Sequence, residues 1–463
     1  MNPLKGIKKS PEKKKTIIEL LKAVRIALAI WLFFLISFLL GYYVNFCEIW
    51  PYKSISEINR YILGHPGDPT SLLDKILNDL EIKPARFITE FDFDLSKFEK
   101  ISGIPLNSRR EEPRVFLSPK ATEGYRVFYG IFDFSEKLHG ALLLNPKGKL
   151  KNYWPLSHNN GKWENMPDKL LSPHGFQIAR DGSIVATADN SHTLNKYNYC
   201  GEVVWRLRGT FDHAISFTDN QKNFWVLGKT VEDYSSPKKY RILKIDYQNG
   251  KILKKIAIDE LIKKNQEIDP FRARQIKRYS PAHLAEGDPW HLNDAEALPP
   301  KFADKYPLFK AGDLLLSFRN LNLICVIDPD NLKIKWWRQG LTRTQHDPDW
   351  NSRGTITVFN NNMLREFSNI TEINPNNYNY SFPVKGENYN FYSQIRGKHQ
   401  LLNNGNFLIT SSEQGRVFEV NPEGEIVFEF FNLYNKENNE YLLISDSEYL
   451  PPDYFINLPK CDK

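Results

Sequence analysis

From Tyr125 onward the chain alternates short apolar runs with polar turns, and the alternation repeats. Ala141–Leu144 leads through a turn at Asn145 to Gly148 toward Tyr153 and Trp154. Ile184–Ala188, opened by Asp181 and Gly182, leads to Val203, Val204 and Trp205. Phe224–Leu227 is followed by Tyr240–Asp246, and Gly312–Ser317 by Leu323–Pro329. Gly354–Phe359 precedes Asn369–Asn374, and Gly405–Thr410 precedes Gly415–Val420. Such short apolar runs, bounded by Gly, Asp and Asn, read as buried strands. Strand, turn and strand, often closed by an aromatic, is the mark of a four-stranded blade. Six such units predict an all-β fold, a six-bladed β-propeller, whereas a β-sandwich would not repeat one motif six times.

The repeat has a second signal inside it. His174, His213 and His346 each stand eight residues ahead of a turn, at Gly182, Gln221 and Gly354. In a closed ring the innermost strands face a shared channel, so residues at one phase of the repeat converge at one mouth. A fourth histidine, His291, opens its blade as Trp290, His291, Leu292, Asn293 and Asp294, before an insertion expected from Ala295 to Ala311. Alternation along the following strand brings Arg319 toward the same mouth. Asp347 and Asp349 read as turn caps. Asp294 reads either as orienting His291 or as solvating the insertion. Arg396 reads either as an anion contact or as a partner of carboxylates, and Arg416 as structural.

The N-terminal pattern is different. Ile26 to Val44 is apolar and uncharged, close to the roughly 20 residues that cross a bilayer. It is preceded by Lys5, Lys8, Lys9, Lys13, Lys14, Lys15, Lys22 and Arg25. That bias predicts an uncleaved anchor with a cytoplasmic tail and the body on the far side, periplasmic or extracellular. The long charged start and the lack of a small-residue cleavage site argue against a signal peptide. The expected organisation is a basic tail over 1–25, a transmembrane helix over 26–47 and a juxtamembrane stalk over 48–113 with a short helix near 68–80. A propeller over 114–440 follows, and a C-terminal segment over 441–463 packs on it.

Composition narrows the functional classes. The net charge of +7 over 463 residues is modest and partly N-terminal, and no nucleic-acid module is present. The four cysteines form no CxxC pair, so no zinc or redox motif is visible. Cys200 and Cys325 read as small buried hydrophobes in predicted strands.

Several short motifs then occur in order: Phe211 to His213, His291 to Asn293, Ser317 to Arg319, Gln345 with His346, Val358 to Asn361, and Ser393 to Arg396. In this order, and over roughly residues 120–432, the chain resembles the bacterial arylsulfate sulfotransferases, six-bladed propellers that work without the nucleotide donor PAPS. The resemblance implies transfer of a sulfuryl group from an aryl sulfate to a phenolic acceptor, by a ping-pong route through a sulfohistidine on His346. It implies His213, His291 and Arg319 as further catalytic residues and Asn293 as a substrate contact, with no metal or other cofactor. His174 and Arg396 are the remaining candidate substrate contacts. The types suit the chemistry: a neutral imidazole attacks and leaves well, and fixed donors meet the developing charge. The rival reading is a membrane-tethered propeller that binds ligands or acts as a scaffold; a quinone-dependent dehydrogenase lacks its metal-ligand carboxylates at the channel mouth.

Overall fold

The computed structural model describes residues 25, 28, 31–39, 93–107, 111–135, 137–158, 171–189, 191–218, 220–233, 241–272, 290–363, 365, 367–435 and 440–461. The chain divides into two compact units, Met1–Lys83 and Pro84–Lys463. In the first, residues 31–39 are helical and Trp31, Leu32, Phe33 and Phe34 are exposed. Among the described residues no helix is long and apolar enough to cross a membrane. Most of the expected span, the basic tail and the short helix near 68–80 lie outside the described residues.

The second unit is an all-β, propeller-like fold of antiparallel meanders. Leu292–Ala297, Leu314–Phe318, Leu323–Ile327 and Ile334–Gln339 form one four-stranded sheet, and His346–Trp350, Ile356–Asn360, Asn369–Ile373 and Tyr380–Lys385 the next. Sequence explains how these sheets stack. Leu314 to Phe318 is buried along its whole length, so both of its faces are covered. Leu314, Leu316 and Phe318 enter the core shared with Trp225, Leu227 and Ile242. Leu315, between them, enters the core shared with Ile356 and Val358. Period-two alternation therefore feeds two cores, one against each neighbouring sheet. The outermost strand, Ile334–Gln339, returns to alternating exposure, as an edge with one wet face does.

One sheet has seven strands, because the fifteen-residue strand Val203–Phe217 serves two meanders. Its first part pairs with Thr193–Tyr197 and its second with Asn223–Thr230. The change falls at Gly209, with φ 155°. A Cβ there would lie 2.2 Å from the Lys229 carbonyl, so glycine is required.

Closure is made by distant segments. Ile444–Leu450 pairs with Tyr125–Ile131 and supplies the first strand of a sheet completed by His139–Leu144 and Leu150–Leu156. The C-terminal segment expected to pack on the propeller is thus woven into it. Phe128 of this sheet stacks at 4.1 Å on Phe430 of the sheet at the other end of the chain. Arg126 makes a fully buried ion pair with Glu419 across the same junction. Glu99–Lys100 and Arg114–Leu117 extend the edge of that last sheet, so the end of the expected stalk belongs to the body. The expected insertion is also shorter: the strand continues through Ala297, and a 3-10 turn at Pro300–Lys305 follows.

Cys200 is not a buried hydrophobe in a strand. It lies in the turn after Thr193–Tyr197 and is disulfide-bonded to Cys461, 261 residues away. Cys325 is free and buried, as its apolar strand predicts. Replacing Cys461 with alanine is expected to cost about 2–4 kcal/mol and lower the thermal midpoint by about 5 °C. An unchanged midpoint in oxidised protein would remove the crosslink from the account.

Candidate functional site

Channel-side strands of five meanders lose register at one level. The irregularity falls at His174 and Gly175 in Ser172–Ile178, and at His213 and Ala214 in Val203–Phe217. It falls at Asn293 in Leu292–Ala297, at Asp347 in His346–Trp350 and at Ser445 in Ile444–Leu450. A bulge bends a strand and re-aims its side chains. Here the bulges turn residues far apart in sequence toward one place. His174, Asn293, His346 and Arg396 wall one small cavity, with Asp294, Asp347, Lys398 and Ser445 beside them. His213 (φ 61°), His291 (φ 46°) and Asp347 (φ 51°) adopt the left-handed region, strain that side chains of this kind carry at functional sites.

His346 is buried, and its Nδ1 lies 2.7 Å from Asn361 Oδ1. The amide nitrogen of Asn361 donates to the Ser393 and Arg396 carbonyls at 2.9 and 2.6 Å. With both amide hydrogens used, Asn361 Oδ1 is an acceptor and His346 Nδ1 must carry the proton. Nε2 is then left with its lone pair. Burial, followed by the Arg319 guanidinium, holds the imidazole well below its usual pKa, so it is neutral across the physiological range.

The other histidines form a chain. The rings of His174 and His213 are 4.4 Å apart and those of His213 and His291 are 4.9 Å apart. His213 Nδ1 donates to Asp212 Oδ1 at 2.6 Å, and its Nε2 meets His291 Nε2 at 3.0 Å. Two facing imidazole nitrogens at that distance share one proton. Arg319 is buried, and its backbone nitrogen donates to the His291 carbonyl at 2.9 Å. His174 Nδ1 donates to Asp189 at 2.6 Å; burial pushes its pKa down to about 4, with Arg396 adding and Asp189 opposing.

Arg396 resolves toward carboxylate pairing. Nη2 meets Asp189 at 2.6 Å, Nη1 donates to the Pro173 carbonyl, and the cavity wall gains a fixed charge pair. Arg416 is buried against Glu429, a structural pair. Asn293 donates to the Gln345 carbonyl at 2.9 Å. Gln345, fully buried, donates to Ser317 Oγ at 3.1 Å and so fixes the turn into His346.

Asp347 and Asp349 are not turn residues, and Asp294 is buried in its strand rather than solvating the insertion. All three lie in channel strands, and Lys398 Nζ reaches Asp347 at 2.5 Å and Asp294 at 3.7 Å. Burial works against the Asp347 charge, but Lys398 and His399 outweigh it and hold the carboxyl down at about 2. Residues that sequence reasoning did not assign are Asn361, Asp212, Asp189 and Lys398. Asn361 was within reach, since it ends the motif that begins at Val358.

Solved structures similar to this chain include a protein of unknown function from Bacteroides caccae, at 11% identity over 70% of this chain and 98% of its own, TM-score 0.46. TolB from Acinetobacter baumannii aligns at 10% identity over 72% and 68%, TM-score 0.43. Virginiamycin B lyase from Staphylococcus aureus aligns at 12% identity over 60% and 84%, TM-score 0.32. No curated protein matches. The family model described as Arylsulfotransferase (ASST) matches residues 175–433, over half of the chain, and the chain belongs to that family.

Proposed function

We propose that the protein moves a sulfuryl group from an aryl sulfate to a phenol by a ping-pong route through a sulfohistidine on His346, without PAPS. The observation that carries this is the 2.7 Å contact of His346 Nδ1 with Asn361 Oδ1, which puts the proton on Nδ1 and leaves Nε2 its lone pair in a residue that lines the cavity. Nε2 attacks sulfur and the bond from sulfur to the aryl oxygen breaks. The departing phenolate takes a proton from the His213–His291 pair in its singly protonated, cationic form, which leaves both imidazoles neutral. In the second half the acceptor oxygen attacks sulfur, the bond from sulfur to nitrogen breaks, and the acceptor's proton returns to that pair. Arg319 and the Asn293 amide meet the sulfuryl oxygens. His174 lines the donor side, and Arg396, paired with Asp189, shapes the wall.

The proposal includes six blades, with the seven-stranded sheet counted as two. It includes the division of the chain at 25 and 47, and an N-terminal membrane helix with the body outside the cytoplasm. The Cys200–Cys461 disulfide suits that oxidising side.

Without acceptor, full-length protein mixed with 4-nitrophenyl sulfate is expected to release one equivalent of 4-nitrophenolate in a burst. The peptide carrying His346 should gain the mass of one sulfuryl group; a burst with no such gain would sink the sulfohistidine.

The pH dependence has a defined sign. Only neutral His346 attacks, and its pKa lies well below 6.5. 4-Nitrophenolate leaves without needing a proton, so the burst rate is expected to stay flat as the pH falls from 8 through 6.5. An acid limb centred near 6.5 would contradict the neutral imidazole. Asn361→Ala removes the acceptor for Nδ1–H and frees the ring to rotate or change tautomer. A burst about 10²-fold slower, with donor affinity little changed, is expected from stopped-flow traces.

A further inference from the structure

The same strands carry a second cluster further from His346. A cavity of about 500 Å³ is walled by Asp294, Glu296, Asp347, Asp349, Asp446 and Glu448, with His399 among them. Acidic walls alone do not make a site, but His399 adds an independent signal. Its side chain is fully buried. Its backbone nitrogen and its Nδ1 both point at Asp347 Oδ2, at 2.6 and 3.1 Å. Nδ1 therefore carries a proton, and in the neutral ring Nε2 holds the lone pair. Nε2 is buried with no hydrogen-bond partner. It lies 3.8 Å from Asp349 Oδ2, too far for a hydrogen bond. Glu448 Oε2, on the same cavity, is also buried without a partner.

A buried acceptor facing a carboxylate across a gap is a donor set that suits a cation between them. Ligand atoms of Asp347, Asp349 and His399 lie within 4.8 Å of one another. Bonds of about 2.0–2.2 Å to a common ion put ligand atoms roughly 3–4 Å apart, and the 3.8 Å gap fits. We propose that this cavity holds one divalent first-row transition-metal ion, Zn²⁺ or Mn²⁺, bound by His399 Nε2 and Asp349, with Asp347 orienting the imidazole through Nδ1. A carboxylate behind a ligating histidine fixes its tautomer and raises its basicity. The imidazole selects against Mg²⁺ and Ca²⁺, which take oxygen ligands. Water inside the cavity completes the coordination. The ion sits on the strand that begins with His346 and anchors the Asp347–Lys398 layer below it; it takes no part in the sulfuryl steps.

The test uses the full-length protein, stripped with a chelator and titrated with Zn²⁺, Mn²⁺, Mg²⁺ and Ca²⁺ by calorimetry. One equivalent of Zn²⁺ or Mn²⁺ is expected to bind and to raise the thermal midpoint. His399→Gln and Asp349→Asn should each weaken that binding at least about 100-fold, while the exposed Glu425→Gln leaves it unchanged. Mn²⁺-loaded wild-type protein should show nitrogen coupling from one imidazole in its electron spin-echo spectrum, a readout that needs no variant to fold. Absence of binding, equal binding in all three variants, a preference for Ca²⁺ or Mg²⁺, or a spectrum without nitrogen coupling would each overturn the site. None of these results bears on the burst with 4-nitrophenyl sulfate.

Discussion

Replacing His346 with alanine is expected to cut sulfuryl transfer by at least about 10³-fold, with the fold retained. In the proposed route both half-reactions pass through Nε2, so the loss falls on donor cleavage and on acceptor sulfation alike. Arg319, Asn293 and the His213–His291 pair remain, but they have no covalent partner to serve. Truncation leaves Asn361 Oδ1 without its donor, a cost of about 1–3 kcal/mol that a large all-β unit absorbs. Steady-state turnover of 4-nitrophenyl sulfate with phenol, read beside a thermal midpoint, checks this. Added imidazole, small enough for the vacated space, should restore part of the donor cleavage. Turnover within tenfold of wild type in a folded variant would end the nucleophile assignment.

Glu419→Ala is expected to lower folding stability by about 3–5 kcal/mol, the range for breaking a buried ion pair. Glu419 receives the Arg126 guanidinium, the Thr122 backbone nitrogen at 2.9 Å, the Thr122 hydroxyl at 2.5 Å and the Asn406 amide at 2.6 Å. Its loss leaves the Arg126 charge buried over the Phe428 ring, 4.2 Å from its centroid, with no carboxylate. Equilibrium unfolding in urea measures the cost. The double variant Arg126→Met with Glu419→Met should recover much of it, because removing both charges removes the unpaired one. A single variant as stable as wild type would show that the junction between the first and last sheets does not depend on this pair.

Part of this molecule was legible from its residues. His174, His213 and His346 keep one spacing to their turns because each stands at or beside the register break of a channel-side strand, with an equal run left to the strand's end at Ile178, Phe217 and Trp350. His291 escaped the phase because an insertion, not a tight turn, follows its strand. Asp347 and Asp349 were misread because Asp is a turn residue by local preference. In the fold they sit in a strand and answer to Lys398 and His399, some fifty residues on, which no local rule reaches. The role of Asn361 depends on two carbonyls that only tertiary structure brings to its amide. The same holds for Cys200 and Cys461, whose pairing across 261 residues left no trace in spacing.

The last channel strand, Ile444–Leu450, has a bearing on when the molecule becomes competent. Ser445 Oγ donates to the His174 carbonyl at 3.0 Å and meets Arg396 Nη1 at 3.3 Å, tying three distant segments at the cavity. Until residue 450 leaves the ribosome, Tyr125–Ile131 has no neighbour on its channel side and the cavity lacks a wall. A nascent chain therefore holds an open-sided cavity until this late segment emerges, and a product cut short before Ile444 keeps it open for good.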